Sequence, residues 1–118
     1  MSHRLEKNMR ILDELVGFMC RRGARDIDIN IKFGLHTSFL TVEADVDAID
    51  ENSLETLTEA LNADRQHEVE ECYWLLNGDD SFGDELSLTG IMIDDATITY
   101  ENSHIKIVAR RVEQRDKH

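Results

Sequence analysis

The chain contains no proline, no low-complexity stretch and only two cysteines, and these absences narrow what the protein can be. With no feature that marks a linker, we predict a single domain over residues 1–118, with a core from about 4 to 111. Cys20 and Cys72 stand far apart, and neither belongs to a CxxC motif or a Cys/His cluster. The sequence therefore predicts two buried thiols and neither a disulfide nor a metal site.

Long apolar runs are also missing. No stretch approaches the roughly 20 apolar residues that a helix needs to cross a bilayer. The N-terminal MSHRLEKNMR leads directly into an amphipathic pattern, without the apolar core of a secretory signal. We therefore expect a cytoplasmic protein with no membrane partner.

Basic residues are scarce in the middle of the chain. Residues 43–95 hold 17 acids against the single base Arg65, and the whole chain has a net charge of −12. Nucleic-acid binding normally needs clustered Lys and Arg that release counterions, so nucleic acid is excluded as an expected partner. The acids either solvate exposed helix faces or form an acidic docking surface.

Hydrophobic periodicity predicts the element order α-β-β-α-α-α-β-β. Apolar residues at helical spacing predict a first helix over about 4–22, and alternation of period two predicts β-hairpins at 27–44 and 96–109. Between the hairpins we predict a helix that begins at a capping box of Asn52 and Glu55, and a second helix capped by Asp64. A third helix, over about 85–93, completes the set. The fold class is therefore α+β, a two-layer α/β sandwich with a mixed four-stranded sheet and helices on one face.

Three segments carry a resemblance to a known family. The first is 13–18 on helix one, which contains Glu14 and, four residues on, Phe18; the second is 42–49 at the end of the second strand. The third is Gly83-Asp84-Glu85-Leu86, which opens the last helix before the final two strands. With the element order, these segments resemble the histidine-kinase-type (GHKL) ATPase superfamily, which includes gyrase and the kinases that act as anti-sigma factors.

The resemblance implies a nucleotide site whose contacts are mostly lost. Glu14 and Gly83 match the family pattern, whereas Phe18 stands at the magnesium-binding asparagine, Ala44 at the adenine-binding aspartate and Glu85 at the second phosphate-loop glycine. A phenyl ring offers no oxygen to magnesium, a methyl group accepts no hydrogen bond, and carboxylates at a helix N-terminus repel phosphate.

A shift of register does not restore the site. Moving the alignment by one residue places Asp45 at the aspartate position, but it reverses which face of the strand points inward. We therefore expect no catalytic residue, no cofactor and no ATP binding, and we expect Phe18 and Ala44 to be buried in the space of the former pocket.

Two classes of function remain open from the sequence. The first is a non-catalytic interaction or regulatory module on an ATPase-like fold, of the kind used in bacterial regulation. The alternative is a small metal-dependent or nucleotide-binding enzyme that gathers the acids of 43–51 and 79–85 around a divalent cation.

The run Tyr73-Trp74-Leu75-Leu76 is wider than a single apolar helix stripe requires. Either Tyr73, Trp74 and Leu75 mark an interface, or the helix is buried on two sides by its neighbours. Since two-fold pairing of one patch is the commonest form of oligomer, we expect a homodimer. A different protein partner is the other expectation.

Overall fold

A computed structural model of the protein describes residues 3–75 and 86–113. Within these residues the helices and strands follow the predicted order. Their bounds are α1 (Arg4–Arg21), β1 (Arg25–Phe33), β2 (Thr37–Asp45), α2 (Glu51–Leu61), α3 (His67–Leu75), α4 (Ser87–Met92), β3 (Asp95–Glu101) and β4 (His104–Val112). None of the helices in the described ranges is long and apolar enough to cross a membrane.

The β3–β4 hairpin and the end of α1 form through local turn chemistry. Gly23 has a φ of 81°, and its N–H and that of Ala24 donate to the carbonyls of Cys20 and Met19. This pattern is a Schellman motif, which ends a helix at a glycine because that residue adopts positive φ at little cost. Asn102 and Ser103, with φ of 52° and 60°, make the tight turn between β3 and β4.

The sheet is antiparallel throughout, so the predicted mixed sheet is wrong. Its order is β1-β2-β4-β3, and each adjacent pair runs antiparallel. β2 and β3, which the helices connect, do point in the same direction. They are not neighbours, however, because β4 returns from the β3–β4 turn and lies between them. The crossover therefore leaves no parallel pair.

One face of the sheet packs against the helices and forms the core. Alternate residues of the two central strands are buried on this face, among them Leu40, Val42, Ala44, Ile105, Ile107 and Ala109. The helices contribute Ile11, Leu15, Phe18, Leu57, Leu61 and Met92 to the same cluster. The predicted two-layer arrangement with helices on one face agrees with this distribution.

Two helix caps and both cysteines differ from the prediction. Asp50, not Asn52, caps α2, because its carboxylate accepts a 3.0 Å hydrogen bond from the N–H of Ser53. α3 begins at His67, after the predicted cap Asp64. Cys20 and Cys72 are free and exposed, so the prediction of buried thiols is wrong. Each lies on a helix but faces away from its packed side.

Candidate functional site

Phe18 and Ala44, which stand at the magnesium and adenine positions of the resemblance, are core residues. Both side chains have zero exposed area, and both belong to the one hydrophobic cluster. The guanidinium of Arg22 lies 3.7 Å from the centroid of the Phe18 ring and covers its outer side. The prediction that these two residues are buried is confirmed.

Glu14, the residue that matches the family's glutamate, has a structural role. Its Oε1 accepts hydrogen bonds from the backbone N–H of Thr89 at 2.9 Å and from the Thr89 hydroxyl at 2.6 Å. α4 begins after Leu86, whose side chain makes no capping hydrogen bond. Glu14 therefore satisfies the first turn of α4 from a different helix, a role that side chains of the capping residue usually fill.

Several predicted site residues lie outside the described part of the chain. Gly83 and Glu85 belong to the segment between α3 and α4 that the structure does not describe. The backbone of Tyr73, Trp74 and Leu75 forms the end of α3, but their side chains are not described. The phosphate-loop and interface assignments of these residues stay predictions.

The acids of 43–51 are largely engaged by groups of this chain. Arg25 makes a two-pronged ion pair with Asp47, at 2.8 and 3.1 Å, and Asp50 caps α2. His104 lies between Glu43 and Asp45. Among the described residues, no group of three or more His, Cys, Asp or Glu side chains is arranged to hold a metal ion. These carboxylates already have cationic or N–H partners.

His104 forms two hydrogen bonds on the outer face of the sheet. Its Nδ1 lies 3.0 Å from an oxygen of Asp45, and its Nε2 lies 2.9 Å from an oxygen of Glu43. An imidazole donates from both nitrogens only when it is protonated. The bond to Asp45, and then the bond to Glu43, raise the pKa of His104 above its ordinary value.

We expect this site to make stability depend on pH in a defined direction. Because the folded pKa is raised, the stabilisation is complete below the unfolded pKa of about 6.5 and is lost as pH rises through the folded pKa. His104→Gln should therefore destabilise the protein more at about pH 6 than at about pH 9, as measured by urea unfolding. An NMR titration that places the pKa of His104 at or below about 6.5 would contradict this expectation.

A cluster of charged side chains is buried where α1, α3 and β4 meet. We call it the charge cluster, and its members are Lys7, Arg65, Glu70, Asp94, Arg111 and Glu113. Apart from Asp94, each side chain is at most 6% exposed. Sequence periodicity did not predict this cluster.

Glu70 on α3 is the centre of the charge cluster. Its carboxylate lies 2.9 Å from Nζ of Lys7, 2.9 Å from Nη2 of Arg111 and 3.1 Å from Nη2 of Arg65. Burial by itself raises the pKa of Glu70, but the hydrogen bonds and charges of these cations, Arg111 first, outweigh it and hold the pKa below its ordinary value. One carboxylate thus connects α1, α3 and β4.

Glu113 accepts hydrogen bonds from three residues beneath α1. Its carboxylate receives hydrogen bonds from Nε of Arg111 at 3.2 Å, from Nδ2 of Asn8 at 2.9 Å and from the hydroxyl of Ser38. Asn8 and Ser38 have no exposed area. The polar atoms of Glu113 are therefore paired even though its side chain is buried.

Arg65 connects the loop before α3 to the end of β4. Its Nη1 donates to Asp94 at 2.9 Å and to the carbonyl of Val112 at 2.6 Å. Asp94 in turn accepts the N–H of Val112. The loop before α3, the residue before β3 and the end of β4 are thereby held together.

The charge cluster is balanced, with three cations and three carboxylates that pair with one another. Little net charge is left over to attract a phosphate or a metal ion. The arrangement is therefore suited to fixing helices on the sheet.

Large apolar side chains are exposed on the side of α1 that faces away from the charge cluster, on β1 and in the turn after β1. We call this surface the α1–β1 face; it comprises Leu5 (56% exposed), Met9 (48%), Ile29 (50%), Phe33 (47%) and Leu35 (85%). Successive helical residues turn by about 100°, so Leu5 and Met9 lie on the flank of α1 opposite the one that contacts α3 and α4. Because α1 packs on β2, and β1 is the neighbour of β2 on the side away from β4, we infer that this flank lies on the β1 side.

The α1–β1 face is exposed because β1 extends past the helix layer. α1 packs over β2, and the inward side of β1 is only half covered. The face is nevertheless ordered by a polar contact, since Arg4 lies 4.7 Å from the centroid of the Phe33 ring and donates to the carbonyl of Gly34 at 2.6 Å. Arg4 therefore joins the start of α1 to the end of β1, and the Phe33 side chain remains 47% exposed.

Comparison with protein-family models and with curated proteins finds no match to this chain.

Proposed function

We propose that this chain is a non-catalytic interaction domain of the cytoplasm that binds protein through the α1–β1 face. The observation that carries the proposal is the exposure of five large apolar side chains, two on α1, two on β1 and one in the turn after β1. Single exposed apolar residues are normal, whereas a contiguous group of them is characteristic of interaction sites. A regulatory role on a degenerate ATPase-like fold remains part of this proposal and rests on the resemblance.

The residues at the motif positions support the non-catalytic part of the proposal. Phe18 and Ala44 are fully buried, and Glu14 is used to cap α4. An ATP molecule placed there would have to displace core side chains. Three of the acids that the enzyme alternative requires already bind Arg25 or His104.

Site-specific photo-crosslinking in the cell tests the binding surface. Leu35 is 85% exposed, so a benzoylphenylalanine at this position should not disturb the fold. The matched control is the same substitution at Thr99, an exposed position on the outer face of β3. We expect a crosslinked protein from position 35 and none from position 99. If position 35 gives no protein adduct, the proposal is wrong.

Calorimetry tests the loss of nucleotide binding. We expect no heat of binding when millimolar ATP with magnesium is added, and none from magnesium alone. The physical reason is that the positions for metal and adenine carry a ring and a methyl group inside the core. A dissociation constant below about 100 μM, which corresponds to more than roughly 5 kcal/mol, would contradict the proposal.

A further inference from the structure

β1 is an edge strand with open hydrogen-bonding groups. It pairs with β2 on one side, and no strand among the described residues lies on its other side. The N–H of Gly34 donates to Thr37 across the turn. Because hydrogen-bonded and non-bonded pairs alternate in an antiparallel ladder, the even-numbered residues of β1 bond to β2. Ile29, Ile31 and Phe33 therefore direct their N–H and C=O groups toward the open edge.

The side chains of β1 are complementary to those of a second β1 in one antiparallel register. With Asn30 on a two-fold axis, Asp28 lies opposite Lys32 of the partner subunit, and Ile29 lies opposite Ile31 of the partner subunit. Both charged pairs join opposite signs on the outer face, and the apolar pairs meet on the helix side. Cross-strand pairs of these kinds stabilise antiparallel sheets.

Neighbouring registers lack this complementarity. With Asp28 on the axis, two like charges meet directly. With Ile31 on the axis, Lys32 lies opposite an asparagine, Asn30 of the partner subunit. Asp28 then lies opposite a position beyond the end of β1, where no charged partner is available. With Ile29 on the axis, Lys32 faces Asp26, which has a φ of 52° and lies in the irregular stretch where the β1–β2 register shifts. The register centred on Asn30 is the one that pairs charges within the regular strand.

Charge also distinguishes β1 from the other edge of the sheet. In a chain of net charge −12, β1 is neutral, since Arg25 and Lys32 balance its two aspartates. β3 begins at Asp95 and ends at Glu101, so pairing β3 with its own copy about its centre would bring these acids together. Acidic residues on an edge strand oppose edge-to-edge pairing.

We propose that β1 pairs with β1 of a second copy about a two-fold axis at Asn30, giving a continuous eight-stranded antiparallel sheet. This axis is perpendicular to the sheet, so both helix layers lie on the same side. The α1–β1 faces of the two copies then adjoin, and Leu5, Met9 and Phe33 of each are covered by the other. The inference rests on the proposed function and specifies the partner as a second copy of this chain.

Disulfide trapping tests the register. A non-hydrogen-bonded antiparallel pair brings Cα atoms to about 4.5 Å, within the range of a disulfide. In a background with Cys20→Ser and Cys72→Ser, we expect Asn30→Cys to form an interchain disulfide under mild oxidation. Lys32→Cys is the matched control on the same exposed face, and it should not crosslink to its own copy. Equal crosslinking of the two variants would overturn the register.

Charge reversal tests the same contact without new covalent bonds. Asp28→Lys and Lys32→Asp should each weaken the dimer by about tenfold, and the double variant should restore it, as measured by sedimentation over about 1 to 100 μM. Thr97→Lys, at an exposed position of β3, should have no effect. Circular dichroism confirms that each variant is folded.

The outcomes separate this inference from the proposed function. A monomer at every concentration overturns the dimer, and crosslinking of another protein at position 35 would then leave the interaction function standing. If neither a dimer nor a crosslink is found, both proposals are wrong. A dimer that is insensitive to both charge reversals but lost in Trp74→Ala assigns the interface to α3 and overturns pairing through β1.

Discussion

Glu70→Ala should lower the free energy of unfolding by about 3–5 kcal/mol. Removal of this carboxylate leaves Lys7, Arg65 and Arg111 in the protein interior without their shared partner. Uncompensated buried charge is far more costly than the loss of a surface ion pair. Since small domains have only about 5–15 kcal/mol of stability, the variant is expected to unfold at low urea concentration.

Glu71→Ala is the matched control for this experiment. Glu71 is the next residue of α3 and also contacts Lys7, at 2.6 Å, but its side chain is 55% exposed. Its removal should cost about 1 kcal/mol or less. If the two alanine variants lose the same stability, the charge cluster does not hold the helices as we infer.

Acid should weaken the same interaction. The pKa of Glu70 is lowered in the folded state, so its contribution is present above the ordinary value of about 4.3 and is lost as pH falls through the lowered pKa. The difference in unfolding free energy between the wild type and Glu70→Gln should therefore shrink as the solution is acidified below about pH 4.

Phe18→Ala is the second substitution with a large expected effect, about 3–5 kcal/mol of lost stability. Its side chain has no exposed area, and its removal empties the part of the core beneath α1. Phe39→Ala is the control, because Phe39 lies on the outer face of β2 and is 39% exposed. Urea unfolding of both variants measures the difference. Similar losses would show that Phe18 is not a core residue.

The hairpins and the core face could be predicted from sequence because alternation reports directly on burial. Leu40, Val42 and Ala44 are inward in the structure as their spacing indicates. The order of strands in the sheet could not be predicted in this way. Periodicity shows which face of a strand is apolar, but it does not show which strand lies beside it, and so it does not place β4 between β2 and β3.

The sequence contains two indications of the charge cluster that hydrophobic periodicity alone does not explain. Arg65 is the one base in a strongly acidic segment, and Arg111 has the same inward parity as Ile107 and Ala109. A charged residue at an inward position implies a buried partner. The partners themselves come from distant segments of the chain, and nothing in their spacing indicates that they meet.

The cysteines show a second limit of prediction from helical periodicity. Cys20 and Cys72 fall within helices with apolar stripes, and this favoured burial. Which stripe is covered depends on where the helix lies on the sheet. α1 covers β2 and leaves Cys20 exposed, and the same placement leaves Leu5 and Met9 open to solvent.

The position of β4 determines when the protein can fold during synthesis. β4 is a central strand, yet it follows the other three strands in the chain, so β2 emerges from the ribosome long before the neighbour on its open side exists. Asn8 must likewise wait for Glu113, 105 residues later in the chain. Such long-range closure slows folding and leaves intermediates with unpaired strand edges and uncovered apolar surface. The nascent chain is therefore expected to depend on protection from aggregation until β4 has emerged.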